Sequence, residues 1–565
     1  MSTIYQAVQH RPCEWYLQST SQTGPGSAEV TVLITGPGGE WRVPAFPAAD
    51  GSWGVRFAPP EPGTYRWKAI AGDPDGAGVP GGADVSAGEG VPGGKGVPGG
   101  EGVPGGEGVL QVVSYDGEHP LFRHGSLEIA PDRRHLRFSD GTPFFWLGDT
   151  WWMGFTSRLG WPEDYEELVA DRVAKGFTLV QIVAGVYPDM PYGDPRGENE
   201  AGLPYDQELT EPNPAWWDLA DLKVRSLVRH GLVPCIVGSW GYHIAQFGVE
   251  RLERHWRHLI ARWGAYPVIW CLAGEGAMPY YLSEHREADA QTQRAGWTHI
   301  ARYVRGIDPM QRPLTIHPTQ VGREQVDDPD VLDFDMLQTG HDGRTAIGNT
   351  VRRLRDGRDR SPTMPVVISE VIYEGILHDS DAEKQRLVWW ASMLGGAAGF
   401  TYGANGLWQL NEPEHPYGPS PHGGSWGDTP WREAAALPGS REVGFSAGFL
   451  RRFAWQRMEP HPEWVEPTPD PEQEYHSWYA AGVPGEFRLI YFYAPILAWT
   501  GSKQFVTALE PEVSWQARWF NPRTGTETEI GIAQPDGSGR WQVPVAPEMK
   551  DYLLVLVAQA PGAPA

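Results

Sequence analysis

A chain of 565 residues with 40% hydrophobic content is long enough for roughly three domains and too apolar to be disordered throughout. Asp and Glu number 71 against 46 Lys and Arg, a net charge of −25, and such a surface repels nucleic acids and anionic membranes, so neither is an expected partner. Three cysteines provide no disulfide framework and suit a reducing compartment.

The first residues, MSTIYQAVQHRPCEW, show neither a basic n-region nor an apolar h-region, and no run of about 18 apolar residues follows anywhere. The expectation is a soluble, cytoplasmic protein, with a secreted form that has lost its leader left open, as is a homo-oligomer. Residues 1–117 alternate apolar and polar positions between Gly, Pro and Asp turns, the pattern of a β-sandwich. Inside this region GVPGG recurs four times. Glycine and proline at that density bury too little to offset ordering entropy, which predicts a mobile loop at about residues 77–107 within an expanded hairpin.

From 118 to 460 apolar strand runs alternate with amphipathic helical stretches, the signature of parallel β/α architecture. Eight strand candidates are PFFWLGD, TLVQIVAG, VPCIVGSW, VIWCLAGE, PLTIHP, DFDMLQTGH, PVVISE and AGFTYGA. Eight β/α units predict a (β/α)8 TIM barrel. No phosphate-binding glycine motif follows any strand, so nucleotide cofactors are not expected. Cys235 and Cys271, inside two of these runs, read as buried, inert thiols. Residues 461–565 return to β alternation and predict a second sandwich. The fold class is therefore a central barrel flanked by two β-sandwiches.

Polar and aromatic residues gather at the predicted strand ends, where α/β barrels hold their chemistry. They are Asp149, Trp151 and Trp152 after the first strand, Trp240 and His243 after the third, and Glu275 after the fourth. His317 follows the fifth, His341 the sixth, Glu370 the seventh, and Tyr402 and Trp408 the eighth. Glycosidic hydrolysis needs one carboxylic acid to protonate the leaving oxygen and one carboxylate to attack the anomeric carbon. Glu275 and Glu370, on strands facing each other across the barrel mouth, are the candidate pair. Asp149, His317 and His341 are candidates to bind sugar hydroxyls, Trp151, Trp240 and Trp408 to form walls, and Trp152, His243 and Tyr402 to contact the substrate. No HExxH or cysteine-rich spacing is present, and neither metal nor cofactor is expected.

The segments WLGDTWW, HGSLEI…LRFSDGTPFFW and GAAGFTYGANGLWQ resemble the apiosidase-like glycoside hydrolase family. ITGPGGEWRVPAFP…WGVRFAPPEPGTYRW resembles its N-terminal fibronectin-like sandwich, and the turn from Trp519 to Gly525 its C-terminal domain with a collagen-binding label. The resemblance implies a retaining barrel glycosidase that removes a terminal pentofuranose such as apiose, with Glu370 as nucleophile and Glu275 as acid/base. It places Tyr373 and Glu374, in the run after Glu370, beside the substrate. Many members read Gly-Gly-Asp where this chain has Ala273-Gly274-Glu275, so the proton donor here is one methylene longer. Two other readings stay open: an exo- or endo-glycosidase for another sugar, and a non-catalytic glycan- or matrix-binding protein.

Overall fold

The computed structural model describes residues 3–18, 29–71, 106–468, 478–493 and 503–559. Its centre is a parallel eight-stranded sheet. The strands are β1 (Trp146–Thr150), β2 (Leu179–Val183), β3 (Val233–Val237), β4 (Ile269–Cys271), β5 (Leu314–Thr315), β6 (Asp335–Gln338), β7 (Val366–Glu370) and β8 (Gly399–Tyr402). Their order is β5-β4-β3-β2-β1-β8-β7-β6. The two end strands meet through side chain and backbone: Thr315 Oγ1 donates to the Phe334 carbonyl at 2.8 Å, and the Asp333 N–H to the Leu314 carbonyl at 2.9 Å. That contact makes the sheet a barrel.

β1, β2, β3 and β7 are buried along their whole length, because barrel strands face a filled interior on one side and helices on the other. Those helices are α1 (Glu163–Ala174), α2 (Pro214–Arg229), α3 (Val249–Trp263), α4 (Arg286–Ile307), α5 (Gly343–Asp359), α6 (Ala382–Leu394) and α7 (Pro438–Leu450). The fifth β/α unit departs from the expectation. Between β5 and β6 the chain makes two short 3-10 turns, Gly322–Glu324 and Pro329–Val331, and no α-helix. Its sequence, GREQVDDPDV, lacks an apolar face at helical spacing and ends in a proline-bearing acidic turn.

On the N-terminal side, Thr3–Val8, Glu107–Val113, Gly63–Ala71, Val30–Gly36 and Gly39–Pro44 form one sheet. Cys13–Leu17, Trp53–Phe57 and Phe46–Pro47 form another. A separate apolar cluster including Trp15, Trp53 and Trp67 lies between them. The GVPGG repeat falls outside the described residues, and the strands that flank it, Gly63–Ala71 and Glu107–Val113, pair antiparallel.

On the C-terminal side lies a six-stranded antiparallel sheet whose strands Trp478–Val483 and Phe487–Phe492 are buried on both faces, while its edge strand Thr526–Ile532 is largely exposed. Trp478 and Ala480 point into its own core, while Tyr479, Ala481 and Val483 join the barrel's apolar core, the period-two alternation of a strand. Tyr491 stacks on Trp390 of α6 (ring centroids 5.9 Å apart), and Phe520 on Phe449 of α7 (4.1 Å). Arg386 of α6 grips Asp551 with two bonds of 2.7 and 2.8 Å, a geometry that fixes register as well as charge.

Candidate active site

The C-terminal ends of the strands open into a cleft of about 380 Å³. Glu370 is the last residue of β7, carried there by four buried strand residues. Glu275 follows β4 with φ +47°, a left-handed conformation that costs a non-glycine residue about 1–3 kcal/mol and is characteristic of sites held by their surroundings. Its neighbour Gly274 has no side chain for a steric reason: a Cβ there would lie 2.2 Å from the Trp240 ring. With its ring against Gly274, Trp240 Nε1 donates to Glu275 Oε2 at 3.1 Å.

One amide joins the two carboxylates. Gln338, ending β6, donates from Nε2 to Glu275 Oε1 at 3.1 Å and to Glu370 Oε1 at 3.0 Å. The two oxygens are therefore at most about 6.1 Å apart, the combined length of those bonds. His341 Nε2 also lies 2.9 Å from Glu370 Oε1.

The environments push the two acids apart. Burial raises the Glu275 carboxyl, the charges of Glu370 and Asp189 raise it further, and together they lift it to about 8 against hydrogen bonds from Gln338 and Trp240. Burial also works to raise Glu370, but the hydrogen bond and charge of His341, with a smaller contribution from His317, hold it below the usual carboxylate range. One acid thus keeps its proton at neutral pH beside one that does not, the division of labour of an acid and a nucleophile.

Of the residues named from sequence, Trp152, Trp240, Glu275, His341, Glu370, Tyr373 and Trp408 line the cleft together. Others stand behind its wall. Asp149 is fully buried, ion-paired to Arg172 Nε at 2.6 Å and accepting from Trp151 Nε1 at 2.7 Å. Trp151 is likewise fully buried, edge-on to Tyr165. His243 is packed against Phe247, with Nδ1 3.0 Å from the Trp240 carbonyl. The Tyr402 hydroxyl donates to Glu374, whose other oxygen accepts the Gly439 N–H at 3.1 Å. His317 is intermediate in position: its Nε2 lies 3.4 Å from Glu370 Oε2, and neither ring nitrogen has a hydrogen-bond partner.

Sequence reasoning missed Gln338, Asp189, Tyr281, Arg286, His422 and Trp426, all on the cleft. Three loops meet there: Asp189 (after β2) accepts from Ser420 Oγ at 2.8 Å, and its N–H donates to the Tyr281 hydroxyl at 3.2 Å. Tyr281 in turn stacks on His422, 5.2 Å between centroids. These contacts wall the cleft beside Glu275. Among the described residues no group of three or more His, Cys, Asp or Glu is placed to hold a metal ion.

Residues 130–457 match the model of the apiosidase-like catalytic domain. The chain belongs to the apiosidase-like family. As a member it is a glycoside hydrolase whose substrate is a carbohydrate. Residues 6–72 match a second model, a domain of unknown function, DUF5060. No curated protein matches the chain in sequence.

Solved structures share the apiosidase-like fold at low identity. A glycoside hydrolase is 21% identical with a TM-score of 0.62, over 77% of this chain and 98% of its own. A glycoside hydrolase family 5 protein from Bacteroides vulgatus is 21% identical with a TM-score of 0.63, over 77% and 93%. Another structure from Bacteroides vulgatus, 14% identical, covers 98% of this chain and 100% of its own at a TM-score of 0.64, so all three parts of the architecture recur together.

Proposed function

We propose that the protein is a retaining glycosidase that removes a terminal pentofuranose-type sugar, apiose or a close analogue, by double displacement. The observation that carries this reading is the separation of Glu275 and Glu370. An upper limit of about 6.1 Å between their bridged oxygens favours the roughly 5–5.5 Å of retaining enzymes over the about 6.5–9.5 Å at which inverting enzymes hold a water.

Glu370, ionised, attacks the anomeric carbon as Glu275 gives its proton to the departing oxygen, leaving a glycosyl ester on Glu370. Glu275, now a carboxylate, takes a proton from water, which attacks the same carbon and returns Glu370 to its ionised form. Glycosylation removes the Glu370 charge and so lowers Glu275 into the range of a base. Gln338 Oε1, His341 Nδ1 and Trp408 Nε1 are buried without partners, and they supply acceptors and a donor for the sugar's hydroxyls. The walled side beside Glu275 favours a single terminal unit over an extended chain threaded through the site.

The test is a panel of nitrophenyl furanosides and pyranosides with the first-formed product followed by ¹H NMR. The expected result is turnover of an apiofuranoside with the anomeric configuration of the substrate retained. A product of inverted configuration overturns the mechanism, and turnover confined to pyranosides overturns the sugar.

A further inference from the structure

A second cleft, about 620 Å³ in volume, lies where the N-terminal sheets, the segment around Tyr115 and the barrel meet. Arg225 and Arg229 belong to the last turns of α2, which returns from the mouth of β2 toward the start of β3. The cleft is therefore at the end of the barrel opposite Glu275 and Glu370. Four guanidinium groups line it (Arg11, Arg56, Arg225 and Arg229) with Glu14, and Asp221 and Glu166 pair with Arg56 and Arg229 from beside it, in a chain of net charge −25.

Arg56 is committed to Glu14, to Asp221 and to the Arg262 carbonyl, and holds the N-terminal part to the barrel. The other three keep donors free. Arg225 spends Nε on the Tyr266 hydroxyl and Nη2 on Glu14. Arg229 spends Nη2 on Glu166, and its side chain is 66% exposed. Arg11 has no carboxylate partner among the described residues and lies 5.9 Å from the Phe122 ring centroid. A cation in the last turn of α2 has a local use at the helix dipole, which accounts for Arg229; Phe122 and Tyr266 are buried in the main core, and Arg11 and the half-buried Tyr115 ring remain at the cleft surface.

We propose that this cleft is a non-catalytic binding site for a saccharide chain bearing carboxylates. Guanidinium forks match carboxylates with paired N–H donors, and a half-buried aromatic ring such as Tyr115 takes the apolar face of a sugar ring. A polyuronate carries one charge per sugar, far sparser than the one per roughly 1.7 Å of duplex DNA. Repulsion from the acidic surface is screened within about 8 Å at physiological salt, so the local arginines decide the encounter. The site does not depend on which sugar the catalytic cleft accepts.

The test is calorimetric titration of the full chain with a mannuronate hexamer, a neutral cellohexaose and a thymidylate hexamer. The mannuronate hexamer is expected to bind, and to weaken with added salt. The double variant Arg11→Ala/Arg229→Ala and, separately, Tyr115→Ala are each expected to weaken it about tenfold with turnover of a small aryl glycoside unchanged and, for the arginine variant, an unchanged melting temperature. Mannuronate binding that survives both variants, or that salt does not weaken, overturns the proposal. So does equal binding of cellohexaose, or tighter binding of the thymidylate.

Discussion

Gln338 Nε2 donates a hydrogen bond to Glu370 Oε1 at 3.0 Å. The same nitrogen reaches Glu275 Oε1 at 3.1 Å, so in the proposed mechanism one neutral amide serves both the carboxylate that is charged in the free enzyme and the one that becomes charged after glycosylation. An N–H donor favours the ionised form of its acceptor, so its loss raises both acids. For Gln338→Leu, both limbs of the pH profile of kcat/KM are expected to move to higher pH. A loss of about 10²-fold in kcat, the scale of one preorganised donor, is expected alongside. A fall in activity with both limbs unmoved points to a merely structural amide.

The pH profile of the wild type follows from the same geometry. The proposed mechanism requires Glu370 ionised and Glu275 protonated. Glu370 lies below its ordinary range, so the acid limb falls below about pH 4.5, its ordinary midpoint. Glu275 is lifted to about 8, which sets the alkaline limb. Initial rates on a nitrophenyl glycoside from pH 3 to about pH 10 give both limbs. In Glu275→Gln the alkaline limb is expected to vanish, with turnover surviving best on the most activated leaving groups.

The raised acid also carries a stability consequence. Glu275 binds its proton more tightly folded than unfolded, so its contribution to stability is fully present below pH 4.5 and is lost as pH rises toward 8. Glu275→Gln removes that loss. A melting temperature raised by roughly 2–4 °C at pH 8, with little change at pH 4, is the expected outcome by scanning calorimetry.

Asp149 behaves as a structural residue. Both it and Arg172 are 0% exposed, and removing one member of such a pair leaves a buried charge uncompensated. Asp149→Ala is expected to cost about 3–5 kcal/mol in chemical denaturation with KM of the folded enzyme unchanged. A raised KM at unchanged stability returns Asp149 to the substrate.

The strands, and the position of a carboxylate at the end of two of them, are legible because a barrel strand announces itself. Val366 to Ser369 are buried without break and Glu370 follows, and Trp270 to Ala273 precede Glu275 in the same way. Gln338 is not legible, since an amide ending an apolar run carries no signal of what it faces. Asp189, Tyr281 and His422 stand on three separate loops, and only folding joins them. Asp149 misled by its company: beside Trp151 and Trp152 it reads as part of a sugar site. Arg172, on the buried face of α1, was the sign that a carboxylate had to meet it inside. Glu374 and Tyr402 satisfy each other in the same manner.

The role of Glu370 as nucleophile is tested most directly by Glu370→Ala assayed on an activated aryl glycoside with and without azide. The variant is expected to lose about 10⁴-fold or more in kcat without azide, in line with removal of a covalent nucleophile. Azide then occupies the vacated space and restores turnover, giving a glycosyl azide of configuration opposite to the substrate. Turnover close to wild type in the absence of azide, or a glycosyl azide of retained configuration, contradicts it.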